Sequence, residues 1–534
     1  MNKKKTTLKS RLLRGAAVVG AASLALTSCG GNAQGDDEAV FVQAVGALPH
    51  LNPQFFVSPA VRVVGGSMME PLVKITNEAE IIPWLAQDWE LSDDGLEMTL
   101  HLQEDVQWHD GEPFTSEDVK FNLEEVIEFQ YIAGDAAASL ESVETPDEHT
   151  VVVHFNEPYG PFLQVLALQF MVPKHIYEGT DFLTHDANSA PVGTGPMVFD
   201  SFAEEEHVEV VKNENYWAGD VSIDRMIFPV FTDTTARDLA LLSGELDRSD
   251  VDSSQLPEVE ADPALGVNTN GTMPWHVFFN MNAQVEELSD PKVRQLVYSA
   301  VDRERIHEAA VPNNSDLAES IYPDAVDWAH SPNVNYLEDF PYDVDAINEG
   351  LDEAGYPVQS NGCRFDLELT YMATLADARS ISEVIQSSMD EVGICVDLNG
   401  IETRLYMEQV YEEGNFDITV LVGTTETDPS LGITIWHECN EERVMSRNPS
   451  GICDEEIDAL AEQAIRSVDQ EARGQALQQL EERAAEVMIS APIVHLWGLA
   501  AFNDAKWEGA DLPARVVPIN WHEISPTSSP DSAP

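Results

Sequence analysis

Two periodicities, alternation and the helical repeat, divide the chain into unlike halves. In the first half "LEMTLHLQEDVQWHDGEPF" reads as a strand running into a turn at Asp110 and Gly111. "TSEDVKFNLEEVI" then opens with cap residues, places acids in its first turn and sets Val119, Leu123, Val126 and Ile127 at helical spacing. "HTVVVHF" predicts another strand, and the order of elements here is irregular. The second half is more regular. "SDPKVRQLVYSAVDRERI" predicts a helix with Ser289 as N-cap, proline in the first turn and Val293, Leu296, Val297, Ala300 and Val301 on one face. After it come a strand "RFDLELTYM", a helix ended by Gly393, a strand "ICVDL", a helix ended by Gly414 and a strand "FDITVLV". That β-α-β-α-β order predicts a parallel sheet with right-handed crossovers. Ligands of such sheets sit beyond the carboxyl ends of the strands. Here those ends are residues 372–375, 399–402 and 423–428.

The glycine pair in "PVGTGPMVF" (residues 191–199) raises the question of a phosphate cradle. A cradle needs converging backbone N–H groups and a helix directly behind them. Pro191 and Pro196 remove two donors, and the residues that follow alternate as strands. The glycines are therefore expected to form a tight turn into a hairpin.

The N-terminus carries six basic residues, no acid, and then the apolar run "GAAVVGAASLAL", too short to span a bilayer. Residues 1–28 read as a signal peptide. "LTSCGG" places Cys29 where a lipobox cysteine is lipidated, and residues 29–38 read as a flexible tether. The formal charge is −67, and removing six positive charges with residues 1–28 takes it to −73. Six lysines then remain, so no basic patch exists for nucleic acid. A hydrophobic content of 43% still marks a folded chain. Four cysteines beyond Cys29 imply two disulfides, with three pairings open. Cys363–Cys395 and Cys439–Cys453 are favoured because each closes a local loop. Zinc is disfavoured by the spacing.

No motif points to catalysis. "GGSMM" lacks the second glycine of a nucleophile elbow, and "HEAAV" and "HECNE" lack the second histidine of a zinc peptidase. No cofactor and no metal are expected.

Several blocks do carry a resemblance. "PVGTGPM" is followed by "VVKNENYWAGDVSIDRMIFPVFTDTTARDLALLSGELD". "MMEPLVKITNEAEIIPWLAQDWELSDDGLEMTLHLQEDVQWHDGEPFTSEDVKFNLE", "VFFNMN", "VRQLVYSAVDRERI" and "LDEAGY" complete the set in order. Together they resemble the family 5 extracellular solute-binding proteins of ABC importers, peptide and nickel binders among them, over roughly residues 40 to 505. The resemblance implies an α/β, two-lobed periplasmic-binding-protein-like fold (type II, cluster C-like) with mixed and parallel sheets. It places lobe I at residues 39–274 plus 495–520, with an inserted subdomain near 73–190, and lobe II at 275–494. Residues 521–534 are expected to be a disordered tail.

It also implies a monomeric, lipid-anchored receptor that hands a small solute or peptide to a permease and its ATPase. A hydrolase on a similar scaffold and a solute-sensing receptor are the alternatives. The ligand-binding candidates are Phe56, Val57, Trp275, Glu402, Thr425, Glu426, Asp428 and Trp436. The family's amine-binding aspartate position holds Thr425, its stacking tryptophan position holds Glu402, and its arginine is missing before Arg379. Glu402 and Glu426 face no Lys or Arg in their own loops, which predicts a cationic ligand; Glu481 is read as an exposed acid elsewhere. Trp275 and Trp436 read equally well as core, and His276, His437 and His495 are weighed as a nickel or haem set.

Overall fold

The computed structural model describes residues 38–56, 58–76, 79–130, 132–268, 274–424, 426, 428–511 and 520–527. The signal peptide, Cys29, Val57 and Thr425 lie outside the described residues. Among the described residues no helix is long and apolar enough to cross a membrane.

The second half builds the largest sheet. Its order is Ser315–Leu317, Ser490–Leu496, Trp275–Met281, Ile418–Thr424, Phe365–Met372, Ile394–Ile401. The strand Phe365–Met372 pairs in parallel with both Ile394–Ile401 and Ile418–Thr424, as the β-α-β-α-β pattern requires. The other three strands are antiparallel additions that make the sheet mixed. The helix Ala376–Glu391 crosses between two parallel strands and ends before Gly393, whose φ of 78° suits the left-handed stop. One helix start differs from the expectation. Asp290, not Ser289, caps Pro291–Ser299, because its carboxylate accepts the Lys292 N–H at 2.9 Å while Ser289 closes the preceding turn. A single apolar cluster drawn from residues 277–496 lies on this sheet.

Among the described residues the first half contributes to four further sheets, the smallest being Val73–Ile75 paired with Ile81–Pro83. Residues 86–155 form an antiparallel four-stranded sheet, Ala86–Leu91, Glu97–Leu102, Thr150–Phe155 and Leu140–Asp147 in that order. Its cluster, from residues 72–171, also takes in Leu431 and Ile465 from the second half. A second four-stranded sheet joins Val40–Val42, Arg225–Pro229, His207–Lys212 and Met197–Ala203. In a three-stranded sheet, Ala500–Asn503 lies between Arg248–Asp250 and Leu265–Asn268. The chain passes from Leu265–Asn268 of the three-stranded sheet into the six-stranded sheet at Trp275–Met281, and after Leu496 it returns to that three-stranded sheet at Ala500. The expected disordered tail is corrected in part. Ser525–Pro526 pairs with Trp507–Glu508, and Trp521 and Ile524 are buried in the 41–228 core. Two large apolar side chains there outweigh the polar composition that follows.

Both disulfides form in the favoured pairing, Cys363–Cys395 and Cys439–Cys453. The glycine pair does lead into a hairpin, Met197–Ala203 with His207–Lys212, but its reason is close approach and not turn geometry. A Cβ on Gly193 would stand 1.9 Å from the Met68 carbonyl oxygen, and one on Gly195 2.8 Å from it. Gly195 N–H donates to that carbonyl at 2.9 Å.

Between the glycines, Thr194 donates to Glu70 at 2.9 Å. Glu70 is 2% exposed and accepts three further bonds, from Trp84 Nε1 (2.8 Å), Tyr216 OH (2.7 Å) and Trp217 Nε1 (2.9 Å). Lys74 completes the group: its Nζ lies 3.3 Å from the Trp84 ring centroid, and burial pushes its pKa down to about 8 against the pull of Glu70 and Glu523. The "MMEPL", "PVGTGP" and "NENYW" blocks thus meet on one buried carboxylate. Their chemistry is structural.

Candidate functional site

A cavity of about 550 Å³ opens beyond the carboxyl ends of the parallel strands, in the size range of sites that enclose a small molecule. Chain segments from both halves supply its wall. Met372, Val422, Gly423 and Thr424 end two strands, and Trp275 joins them because it begins the antiparallel neighbour, directly opposite Thr424. Met407 and Tyr411 come from the helical segment after Ile401. Ile132, Gly134 and Asp135 reach in from the first-half subdomain, and Val444, Met445, Ser446 and Arg447 from the loop that Cys439–Cys453 closes.

The predicted residues divide. Trp275, Glu426 and Trp436 line the cavity. Glu426 is buried at a left-handed φ of 54°, and the Thr424 hydroxyl donates to its carboxylate. Trp436 is mostly core: it packs 6.3 Å from the Phe278 ring and against Gly423, where a Cβ would come within 3.0 Å of its indole. Glu402 stands outside the lining, exposed at the N-cap of Thr403–Tyr406. Asp428 is also outside it and is occupied structurally. Its carboxylate caps Pro429–Gly432 through Ser430 and lies 3.1 Å from Arg473 in a buried ion pair. Phe56 is 40% exposed and stands edge-on to His50, away from this wall.

The all-acidic picture needs correcting. Asp135, Glu426 and Glu438 share the wall with Arg447. Burial raises the Glu438 carboxyl pKa; Arg447 opposes that shift and Asp135 adds to it. Charges in the cavity are therefore mixed.

His276 and His495 face each other on paired strands, their rings 4.6 Å apart, and His437 is buried close by. Among the described residues no histidine lines the 550 Å³ cavity. Burial is the main cause holding all three in the neutral form, with His276 well below its usual value and His495 down at about 4. An imidazole depressed in the folded state binds fewer protons than it does unfolded. Its contribution is present above pH 6.5 and is lost as pH falls, for His495 from there towards about 4 at about 1.4 kcal/mol per pH unit. His330 acts in the opposite sense, because Glu481 raises its pKa. Urea unfolding should show stability falling between pH 6.5 and 4.5, with the fall shallower in His495→Asn; equal slopes in the two proteins would refute this.

Glu481, read from sequence as exposed, is fully buried. It accepts from Ser320 Oγ (2.5 Å), Ile321 N–H (3.1 Å), His330 Nδ1 (3.1 Å) and Ser331 N–H (2.7 Å). It is a structural acid of the second half.

Residues 157–160 pack tightly against residues 465–467 beside the cavity wall. Gly160 N–H donates to Ile465 O at 2.7 Å, and Glu157 pairs with Arg466 at 2.8 Å. A Cβ on Gly160 would lie 2.1 Å from the Ser467 carbonyl oxygen. Leu431 and Ile465 bridge the subdomain core and the cavity wall.

Known proteins share both fold and sequence with this chain. The substrate-binding protein CtaP of Listeria monocytogenes superposes with a TM-score of 0.82 over 92% of this chain and 100% of its own, at 21% identity. NikA of Brucella suis, solved with Fe(III)-EDTA, gives 0.80 over 92% and 100%, at 23% identity. These structures share the two-lobed α/β fold. A Brucella ovis protein that carries the name ABC transporter peptide-binding protein is 33% identical over 358 residues, which span 65% of this chain and 65% of that protein's length. The nickel-binding periplasmic protein of Escherichia coli is 28% identical over 389 residues, 68% of this chain and 71% of its own. The family model for bacterial extracellular solute-binding proteins, family 5 Middle, matches residues 80–441. With a match across most of its length, the chain belongs to the family 5 extracellular solute-binding proteins.

Proposed function

We propose that the protein is the substrate-binding component of an ABC importer, that it captures one small solute in the 550 Å³ cavity, and that it passes that solute to a membrane permease. The observation that carries this reading is the composite wall: residues 132–135 of the first half and the strand ends of the second enclose the same space. A trap of this kind binds by closing one part on another. In the proposed assignment, lobe II is residues 275–494, and lobe I is residues 39–274 with 495–520, including the subdomain near 73–190.

A peptide is the favoured solute. A di/tripeptide-binding protein of Pseudomonas aeruginosa is 26% identical over 454 residues, 78% of this chain and 81% of its own. The buried histidines His276, His437 and His495 also stand outside the cavity wall, which disfavours a metal chelate held by imidazole. Cys29 is proposed as a lipidated anchor on the outer face of the membrane, and Cys29→Ala should release the protein or leave it unprocessed.

Native mass spectrometry of protein purified without denaturation tests the reading. One small solute per chain, lost on unfolding, is expected. Turnover of that solute by the purified protein, or an empty cavity that no peptide pool fills, would contradict it.

A further inference from the structure

A second cavity, of about 260 Å³, shares no residue with the wall of the 550 Å³ one. It opens beside the edge strand Ser315–Leu317 and the segment that follows Leu496. Its volume falls below that of a drug-sized site, which suits a smaller occupant. Asp316, Glu319, Asp324 and Asp327 line it, and among the described residues no Lys or Arg does. Exposed acids are ordinary in a chain with 95 Asp and Glu, so the carboxylates alone identify nothing.

His495 changes that. It is 6% exposed, it lines this cavity, and its Nε2 has no hydrogen-bond partner among the described residues. Across the paired strands it stands directly opposite Asp316. Burial holds the ring neutral, with its pKa down at about 4 against the pull of Asp316 and of a bond to the Ser320 carbonyl. That bond takes the ring's one proton, so the unpartnered Nε2 presents a lone pair. A buried acceptor without a donor costs free energy until a donor arrives. The wall has few donors to spare. Ionised carboxylates only accept. Trp497 gives its indole N–H to Asp316, which fixes the ring at the cavity's edge, and His330 turns its Nδ1 to Glu481 at 3.1 Å. What the wall lacks is a cationic donor.

We propose that this cavity is a second binding site, for a small organic cation bearing a primary amine: Asp316, Asp324 and Asp327 attract its charge, His495 Nε2 accepts one of its N–H bonds, and Trp497 covers its alkyl stem. An ammonium group carries three donors and no acceptor, the complement of several carboxylates and one neutral imidazole. The indole adds a surface that attracts an alkylammonium group. A metal ion suits the geometry less well. Among the described residues no three ligand atoms of this wall lie within 4.8 Å of one another, whereas a coordination shell gathers its ligands around one point. The site does not depend on which solute the larger cavity takes.

Calorimetry of the solute-loaded protein with putrescine, in enough salt to screen loose counterions, tests it. One putrescine per chain is expected, and butanediol, its uncharged counterpart, should not bind. Combining Asp324→Asn with Asp327→Asn should weaken binding by about tenfold or more. His495→Leu should weaken it too, and His495→Gln, which keeps an acceptor, should restore part of the loss. If His495→Leu does not fold, the double variant still decides, because both its acids are exposed. No binding, equal binding of butanediol, or several weak sites indifferent to the double variant (a counterion atmosphere) would overturn the proposal. Loss in Glu426→Gln with the double variant unaffected would place putrescine in the larger cavity, and displacement of putrescine by manganese or zinc alone would make this a metal site; either result overturns it as well.

Discussion

Gly160→Val is expected to lower solute occupancy at least tenfold although residue 160 does not line the cavity. The new side chain would begin 2.1 Å from the Ser467 carbonyl oxygen and 2.8 Å from the Arg473 guanidinium. Ser467 O is backbone and cannot rotate away, so the two segments must separate. Overpacking of that kind costs about 3 kcal/mol. Separation also breaks the bond from Gly160 N–H to Ile465 O and loosens Leu431 and Ile465, which form part of the cavity wall. The affinity therefore falls because the wall comes apart, with every solute-facing side chain intact. Gly46→Ala is the control, since its Cβ would meet only Ala60 at 4.0 Å. Native mass spectrometry of the two variants should show solute retained by Gly46→Ala and lost from Gly160→Val. Equal retention would mean that docking of residues 157–160 is irrelevant to capture.

Glu70→Ala is expected to cost about 4 kcal/mol of stability, within the range seen when one partner of a buried charged network is removed. Four donors lose their acceptor at once: the hydroxyls of Thr194 and Tyr216 and the indoles of Trp84 and Trp217. Lys74, itself buried, loses the stronger of the two carboxylate influences that support its charge. Glu70→Gln should be milder yet still destabilising, because one of its two acceptor positions becomes an N–H₂ facing donors. Urea unfolding measures both. A loss below about 1 kcal/mol for Glu70→Ala would show that water replaces the carboxylate without strain.

The parallel core was legible because each of its signals is local. Alternation over Phe365–Met372, the long helical period of Ala376–Glu391 and the stop at Gly393 all lie within a few residues. The strand-end rule then pointed to Met372, Gly423, Thr424 and Glu426, all on the cavity wall. What sequence reasoning missed comes from distant segments. Nothing in "IAGDAA" marks Ile132 and Asp135 as wall residues, because they meet the strand ends from far away in the sequence. Arg447 could have been found: a cation between two paired cysteines in so acidic a chain is a signal in itself. Glu481 was misjudged by residue type. It shares a helical face with Leu477, Leu480 and Ala484, all buried, and the position said core although the charge said surface. The hydroxyl, imidazole and backbone donors that satisfy it come from residues 320–331 and have no signature in its own helix. The glycines of "PVGTGP" show the same limit, since the carbonyl that forbids a Cβ there belongs to Met68, more than a hundred residues earlier.

Hydrogen exchange, compared between protein holding its co-purified solute and the same protein stripped of it, tests the central claim most directly. Solute should slow exchange together in three separate segments, residues 132–136, 421–426 and 444–448, with residues 157–160 protected in step. Protection confined to other surfaces, or to one of these segments alone, would contradict capture in a cavity shared by the two halves of the chain.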